Sequence, residues 1–119
     1  MKMDKRMYSI GEGWQGLVDP LITICEENGG TVVQVKEKFG GLRFYYDPPK
    51  GGWGTPFWVV FGYAVRWAEF MSYRTCEVTG TPGKLRSLST EGKPKWHRTL
   101  CDKVADELGY DTSQEEELS

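Results

Sequence analysis

Cationic and aromatic residues crowd into one stretch, TVVQVKEKFGGLRFYY at positions 31 to 46, with the spacing of a surface able to hold an anion. Two β-prone runs flank Gly40-Gly41, a pair that can supply the positive φ angles of a type I′ turn, so a β-hairpin is predicted. A two-residue turn at that pair places Phe39 opposite Leu42, Lys38 opposite Arg43 and Lys36 opposite Tyr45. Side chains alternate across a strand. Val33, Val35, Phe39, Leu42, Phe44 and Tyr46 then fall on a core face with Glu37 as its misfit, while Gln34, Lys36, Lys38, Arg43 and Tyr45 fall on the other. Three cations side by side cost stability unless water, nearby acids or an anion offsets their repulsion. Arg forks onto a phosphate, Lys neutralises it as a point charge and Tyr stacks on a base. Lys36, Lys38, Arg43 and Tyr45 therefore form a candidate site for a nucleotide-like anion, with Trp53 in the following loop as a further stacking surface. A solvated sheet face whose charges discourage edge pairing remains the alternative.

The second chemistry-bearing group lies between positions 76 and 104, which read CEVTGTPGKLR, a variable stretch, then KWHRTLCDKV. A CxxCG knuckle followed by a CxxC or CxxH at a helix start is the ligand layout of a zinc-binding treble clef. Cys76 and Cys101 occupy the first place of each pair, but Thr79 and Val104 occupy the second, and neither can replace a thiolate or imidazole. The expectation is a treble-clef-like half that has lost two of four ligands, with no metal and no cofactor. His97, four residues before Cys101, is a potential third ligand but reads better as a surface residue. Cys76 and Cys101 are expected near each other, either as reduced thiols or bridged on oxidation.

Around these groups the elements are those of an α+β chain. Trp14, Leu17, Val18, Leu21, Ile22 and Cys25 make one helical stripe. Pro20 inside it implies a kink, or a shorter helix capped by Asp19. After the hairpin and a Pro- and Gly-rich loop over 47 to 54, Thr55 as N-cap and Pro56 at the first position start a second helix running to about Tyr73. Its expected buried stripe is Phe57, Val60, Phe61, Ala64, Ala68 and Met71, with Trp58, Trp67 and Phe70 off it. A helix apolar on most sides is deeply buried or lies at a subunit interface, which keeps a homo-oligomer open. Leu100, Val104 and Leu108 mark a short third helix ending at Gly109.

At 119 residues the chain suits one domain, drawn here over 1 to 110 with the treble-clef-like half at 74 to 108. The longest uncharged stretch, Gly51 to Val65, is too short to span a bilayer, and three scattered cysteines suit a reducing cytoplasm better than a disulfide framework. The net charge of −2 hides a segregation: residues 74 to 103 carry seven Lys or Arg against three acids, while 104 to 119 carry six acids and no base. The first dozen residues read as mobile, and 111 to 119 as an acidic disordered tail.

Across most of residues 11 to 104 the motifs resemble an uncharacterised family of small proteins of tailed phages and prophage-bearing bacteria. Its pattern has a GxGW helix start, a KEKFGGLRFY segment, a CExCGxPGxLR knuckle and a WxxTLC helix closed by a second Cys or His. The matches are Gly11, Gly13 and Trp14; Lys36 to Tyr45; Cys76, Glu77, Gly80, Pro82, Gly83, Leu85 and Arg86; and Trp96, Thr99, Leu100 and Cys101. Thr79 and Val104 depart from it. The resemblance implies a phage setting, hence a host-cell cytoplasm, and no particular activity.

No nucleophile–base pair, carboxylate pair or phosphate-cradling glycine loop stands out, so an enzyme is not expected. The leading expectation is a phage-type binding protein, such as a counter-defence protein that sequesters a nucleotide-like ligand or blocks a host factor. The other is a nucleic-acid-binding module that sets Arg74, Lys84, Arg86, Lys93, Lys95 and Arg98 on phosphates.

Overall fold

A computed structural model describes residues 8–88 and 96–110. The elements run β1 (Tyr8–Ser9), a 3-10 turn (Glu12–Trp14), α1 (Gln15–Glu27), β2 (Thr31–Lys38), β3 (Gly41–Asp47), α2 (Pro56–Ser72), β4 (Lys84–Leu88), β5 (Trp96–Leu100) and α3 (Asp102–Leu108). This is the expected α+β order, with two additions: β1, which lies parallel to β2, and the antiparallel β4–β5 hairpin. The ends of the chain and Lys93 and Lys95 lie outside the described residues.

The stripe predicted for α1 is the buried one: Trp14, Val18, Leu21, Ile22 and Cys25 enter the core. The helix runs through Pro20 and begins ahead of Asp19, so Asp19 is not its cap. Its partners are Val32, Val35, Leu42 and Phe44 from the sheet and Trp58, Phe61, Val65 and Ala68 from α2. α2 starts where Thr55 and Pro56 predict, but it is rotated from the expected stripe. Trp58 is buried, whereas Phe57, Val60 and Ala64 face outward with Tyr63, Trp67 and Phe70.

Polar anchoring explains that rotation. The β3 amides that point away from β2 need acceptors. Ser72 Oγ accepts from Leu42 N–H at 2.9 Å, and Glu69 Oε2 accepts from Phe44 N–H at 2.9 Å. α2 must turn this polar edge toward β3, and the residues diametrically opposite are left in solvent.

The hairpin turn sits one residue earlier than expected. Lys38 pairs with Gly41, Glu37 with Leu42, Lys36 with Arg43 and Val35 with Phe44, so Phe39 and Gly40 are the two turn residues. Both have positive φ, 54° and 85°. Gly40 suits that conformation; Phe39 adopts it at a cost of about 1–3 kcal/mol. The shift is dictated from outside the hairpin. A Cβ on Gly40 would strike Leu85, and one on Gly41 would strike the Tyr73 ring. Thr99 Oγ1, wholly buried, donates to Gly40 O at 2.8 Å, and Glu37 Oε2 accepts from Gly40 N–H at 2.6 Å. The misfit acid on the core face is thus the acceptor that closes the turn. A bulge between Val32 and Gln34 puts Val33 in solvent, and Phe39 stands outward at the turn; neither belongs to the core as predicted.

The GxGW start is the joint between the halves. Trp14 Nε1–H donates to Thr75 O at 2.8 Å, and Gly13 N–H donates to Glu77 O at 2.8 Å. Side chains at Gly11 or Gly13 would collide with the backbone of Cys76 and Glu77. Beyond that joint, Cys76, Leu100, Val104, Ala105 and Tyr110 form a second, smaller core. Leu100 belongs to β5 rather than to α3, and Leu108 is exposed.

Candidate functional site: a cleft between the two hairpins

The close docking of the β2–β3 turn on β5 leaves a cleft of about 480 Å³ beside it. Glu37, Lys38 and Phe39 line it from the turn, Glu77 from the knuckle, and Trp96, His97 and Arg98 from β5. Its volume is within the usual range for small-molecule sites. Phe39 and Trp96 are 65% and 62% exposed, a large apolar area on so small a molecule. Lys38 Nζ lies 5.7 Å from the Phe39 ring centroid, which turns its charge toward the cleft.

The cleft cation held most firmly is Arg98. Its Nε–H donates to Glu77 Oε1 in a short ion pair, with Glu77 buried and Arg98 part-exposed. Burial opposes the Arg98 charge, but the hydrogen bond to Glu77 keeps its pKa above the ordinary value. Burial likewise raises the Glu77 carboxyl above its usual range, with Arg98 pulling the other way. Among the described residues the half-buried imidazole of His97 has no hydrogen-bond partner. Chemically, the cleft offers two flat surfaces, an ammonium, a pre-set guanidinium and a free ring nitrogen. Those groups suit an aromatic, anionic guest.

The four hairpin residues singled out by sequence share one sheet face, but their side chains diverge. Lys36 lies opposite Arg43 and carries its Nζ over the Tyr45 ring at 5.4 Å. Arg43 turns toward Tyr73 and hydrogen-bonds its hydroxyl at 3.4 Å, a contact that heads the causes of its raised pKa. Lys38 alone reaches the cleft. Trp53 is in a separate aromatic hollow with Tyr46, Trp58 and Tyr63, its ring 6.0 Å from that of Tyr46, which the strand alternation places on the face opposite Tyr45.

The alternative basic set is also divided. Arg86 and Arg98 are directly opposite across β4 and β5, where two free cations would repel. Each has an acidic partner within the chain, but only Arg98 is also open to the cleft. Arg86 is buried, donating Nε–H to Leu100 O at 2.9 Å and Nη2–H to Asp102 Oδ1 at 2.6 Å; Arg98 pairs with Glu77. Arg86 is therefore a structural residue and not a phosphate contact. Arg74 stacks on Phe70 with its guanidinium carbon 4.9 Å from the ring centroid, and Lys84 is exposed on β4.

At the degenerate zinc layout, Cys76, Thr79 and Cys101 do converge. Thr79 Oγ1 lies 3.8 Å from Cys101 Sγ, and Cys101 packs against the small core that contains Cys76. His97 lines the cleft. Sequence reasoning missed Phe39, Glu77 and Trp96 as cleft residues. LRSL and WHRTL carry no clean apolar–polar alternation, so the second hairpin that brings these residues together has no local signal in the sequence.

Compared with protein-family models, with curated proteins and with solved structures, the chain gives no significant match. The resemblance to small phage proteins accordingly rests on its motifs alone. Among the described residues, no helix is long and apolar enough to cross a membrane.

Proposed function

We propose that the chain is a non-enzymatic binding protein that sequesters a nucleotide-like anionic ligand in the cleft between its two hairpins. One observation carries this reading: Phe39 and Trp96, both more than half exposed, line one cleft with Lys38, His97 and Arg98. An aromatic base is stacked on the exposed rings, and the phosphate is met by Lys38 and Arg98. The positive φ of Phe39 supports the assignment, since a bulky residue is kept in that conformation only where the surroundings enforce it. Here the enforcement comes from Glu37 and Thr99, which grip Gly40 from both sides.

A host-factor-blocking role and single-strand binding would use different surfaces, and titration separates them. Adenosine 5′-monophosphate, adenosine, inorganic phosphate and a short single strand are titrated while Trp fluorescence and Tm are followed. The mononucleotide is expected to quench fluorescence and raise Tm with saturation, with adenosine and phosphate each weaker. Trp96→Phe should remove most of the quench, and Lys38→Gln should weaken binding roughly tenfold, the loss of one charge-assisted contact. Saturable binding undiminished in Trp96→Ala, or no response to any mononucleotide, would sink the reading.

A further inference from the structure

We propose that the outward face of α2 is a self-association surface, on which a second copy of this chain packs its own α2 antiparallel across a two-fold axis. The face shares no residue with the cleft, so it is independent of the ligand reading.

α2 carries two seams. Trp58, Phe61, Val65, Ala68 and Ser72 follow one another at alternating steps of three and four residues and are the side buried in the chain's own core. Val60, Tyr63, Trp67 and Phe70 repeat the same alternation and are all exposed. At about 3.6 residues per turn the two seams are centred about 160° apart, on nearly opposite sides of the helix. A helix side that meets water normally carries charged residues. Within α2 only Arg66 is both charged and exposed, and it stands on the flank of the outer seam. Arg66 lies over the Tyr63 ring at 5.8 Å, and Arg74, past the helix end, over Phe70 at 4.9 Å. Neither charge interrupts the seam.

The area is sufficient for a dimer. Phe57, Val59, Val60, Tyr63, Trp67 and Phe70 are between 42% and 65% exposed. At roughly 200 Å² for a large aromatic side chain, these residues leave about 600 Å² of apolar surface per copy. That is at the top of the range for the largest patch on a monomer. Two such faces together bury about 1,200 Å², the lower edge of a specific interface.

The seam is also complementary to itself. Its spacing reads the same in both directions about the height of Val65. A two-fold axis there sets Val60 against the partner's Phe70 and Tyr63 against the partner's Trp67, in the ridge-and-groove geometry that alternating three- and four-residue steps produce. Small meets large at the ends and ring meets ring in the middle. A parallel pairing would set Arg74 beside its own copy, like charge against like. A membrane surface fits less well, because a helix lying on lipid is ringed by Lys and Arg.

The test is sedimentation equilibrium on the intact chain from about 1 to 100 μM, the span in which an interface of this modest size associates. The expected mass rises from 13.6 kDa to twice that value. Trp67→Glu and Val60→Glu each bury two like charges at the axis and should weaken association about a hundredfold or more, with the circular dichroism of the monomer unchanged. Should either variant fold poorly, oxidative cross-linking gives a second reading. Ala64→Cys, near the axis, should link to its own copy, whereas Phe57→Cys should not, since antiparallel packing holds those two positions about 24 Å apart along the helix. A chain that remains monomeric across the range overturns the proposal, and partition of that monomer onto phosphatidylcholine vesicles would assign the face to lipid instead. A dimer that persists in both Glu variants, or that links equally well through position 57, also overturns it.

Discussion

The two halves of the molecule are stabilised by different physics. From Trp14 to Ala68 the interior is thirteen apolar side chains from two helices and a sheet, and burial dominates. The half beyond Thr75 has only Cys76, Leu100, Val104, Ala105 and Tyr110 at its centre, and its strands face each other with Arg86 against Arg98. There, ion pairs and side-chain-to-backbone bonds supply the specificity that a small core cannot. A treble-clef layout with a metal would hold such a half by coordination. In this chain a guanidinium reaching Leu100 O and Asp102, a buried Glu77 and a cluster of hydroxyls and thiols occupy the same ground.

That contrast can be tested at several points. Trp14 belongs to the large core and bonds to Thr75 of the other half, so Trp14→Ala is expected to cost about 3–5 kcal/mol in denaturant unfolding and to loosen both halves together. Loss confined to the first half would break the claim that Trp14 is the joint. Arg86→Ala strands Leu100 O and leaves Asp102 without that ion pair; about 2–3 kcal/mol should be lost, with amide exchange rising in β4, β5 and α3 but not in α1. Asp102 is largely exposed and can turn to water, which keeps the cost below that of a fully buried pair. Glu77→Gln keeps a hydrogen bond to Arg98 but not its charge. Arg98 is part-exposed, so the expected readout is a cleft whose anion affinity rises severalfold as Arg98 is freed.

The smallest effect is the pH response, and it has opposite signs in the two halves. Cys25, raised from 9.0 to about 11, contributes stability that is complete below the unfolded value and lost as pH climbs through 11. Cys101, lowered from 9.0 to about 7, contributes stability that is present above pH 9 and lost as pH falls through 7. Unfolding measured from pH 6 to 11 on Cys25→Ala and Cys101→Ala should flatten the alkaline decline in the first and the acid-side decline in the second.

What the sequence made legible follows the same division. The α1 stripe, the Thr55-Pro56 start of α2 and the Gly109 stop of α3 are local signals, and each is where it was expected. The turn register was not legible, since FGGL permits a turn at Gly40-Gly41 or at Phe39-Gly40, and the choice is made by Tyr73, Leu85 and Thr99, distant in sequence. The rotation of α2 escaped for a related reason: apolar periodicity cannot see that Glu69 and Ser72 are committed to the β3 amides. Of the candidate site, Lys38 and Arg98 were singled out but for two separate sites, and Phe39 was assigned to the wrong face, while Glu77 and Trp96 required knowing that two hairpins meet.

One consequence of the sealed β3 edge concerns how the molecule meets its neighbours. With Leu42 and Phe44 already engaged by α2, no incoming peptide can lengthen the sheet there by main-chain pairing. Contact on that flank is restricted to the outward side chains of α2, whose rings and branched aliphatics can be altered one at a time without disturbing the ladder beneath.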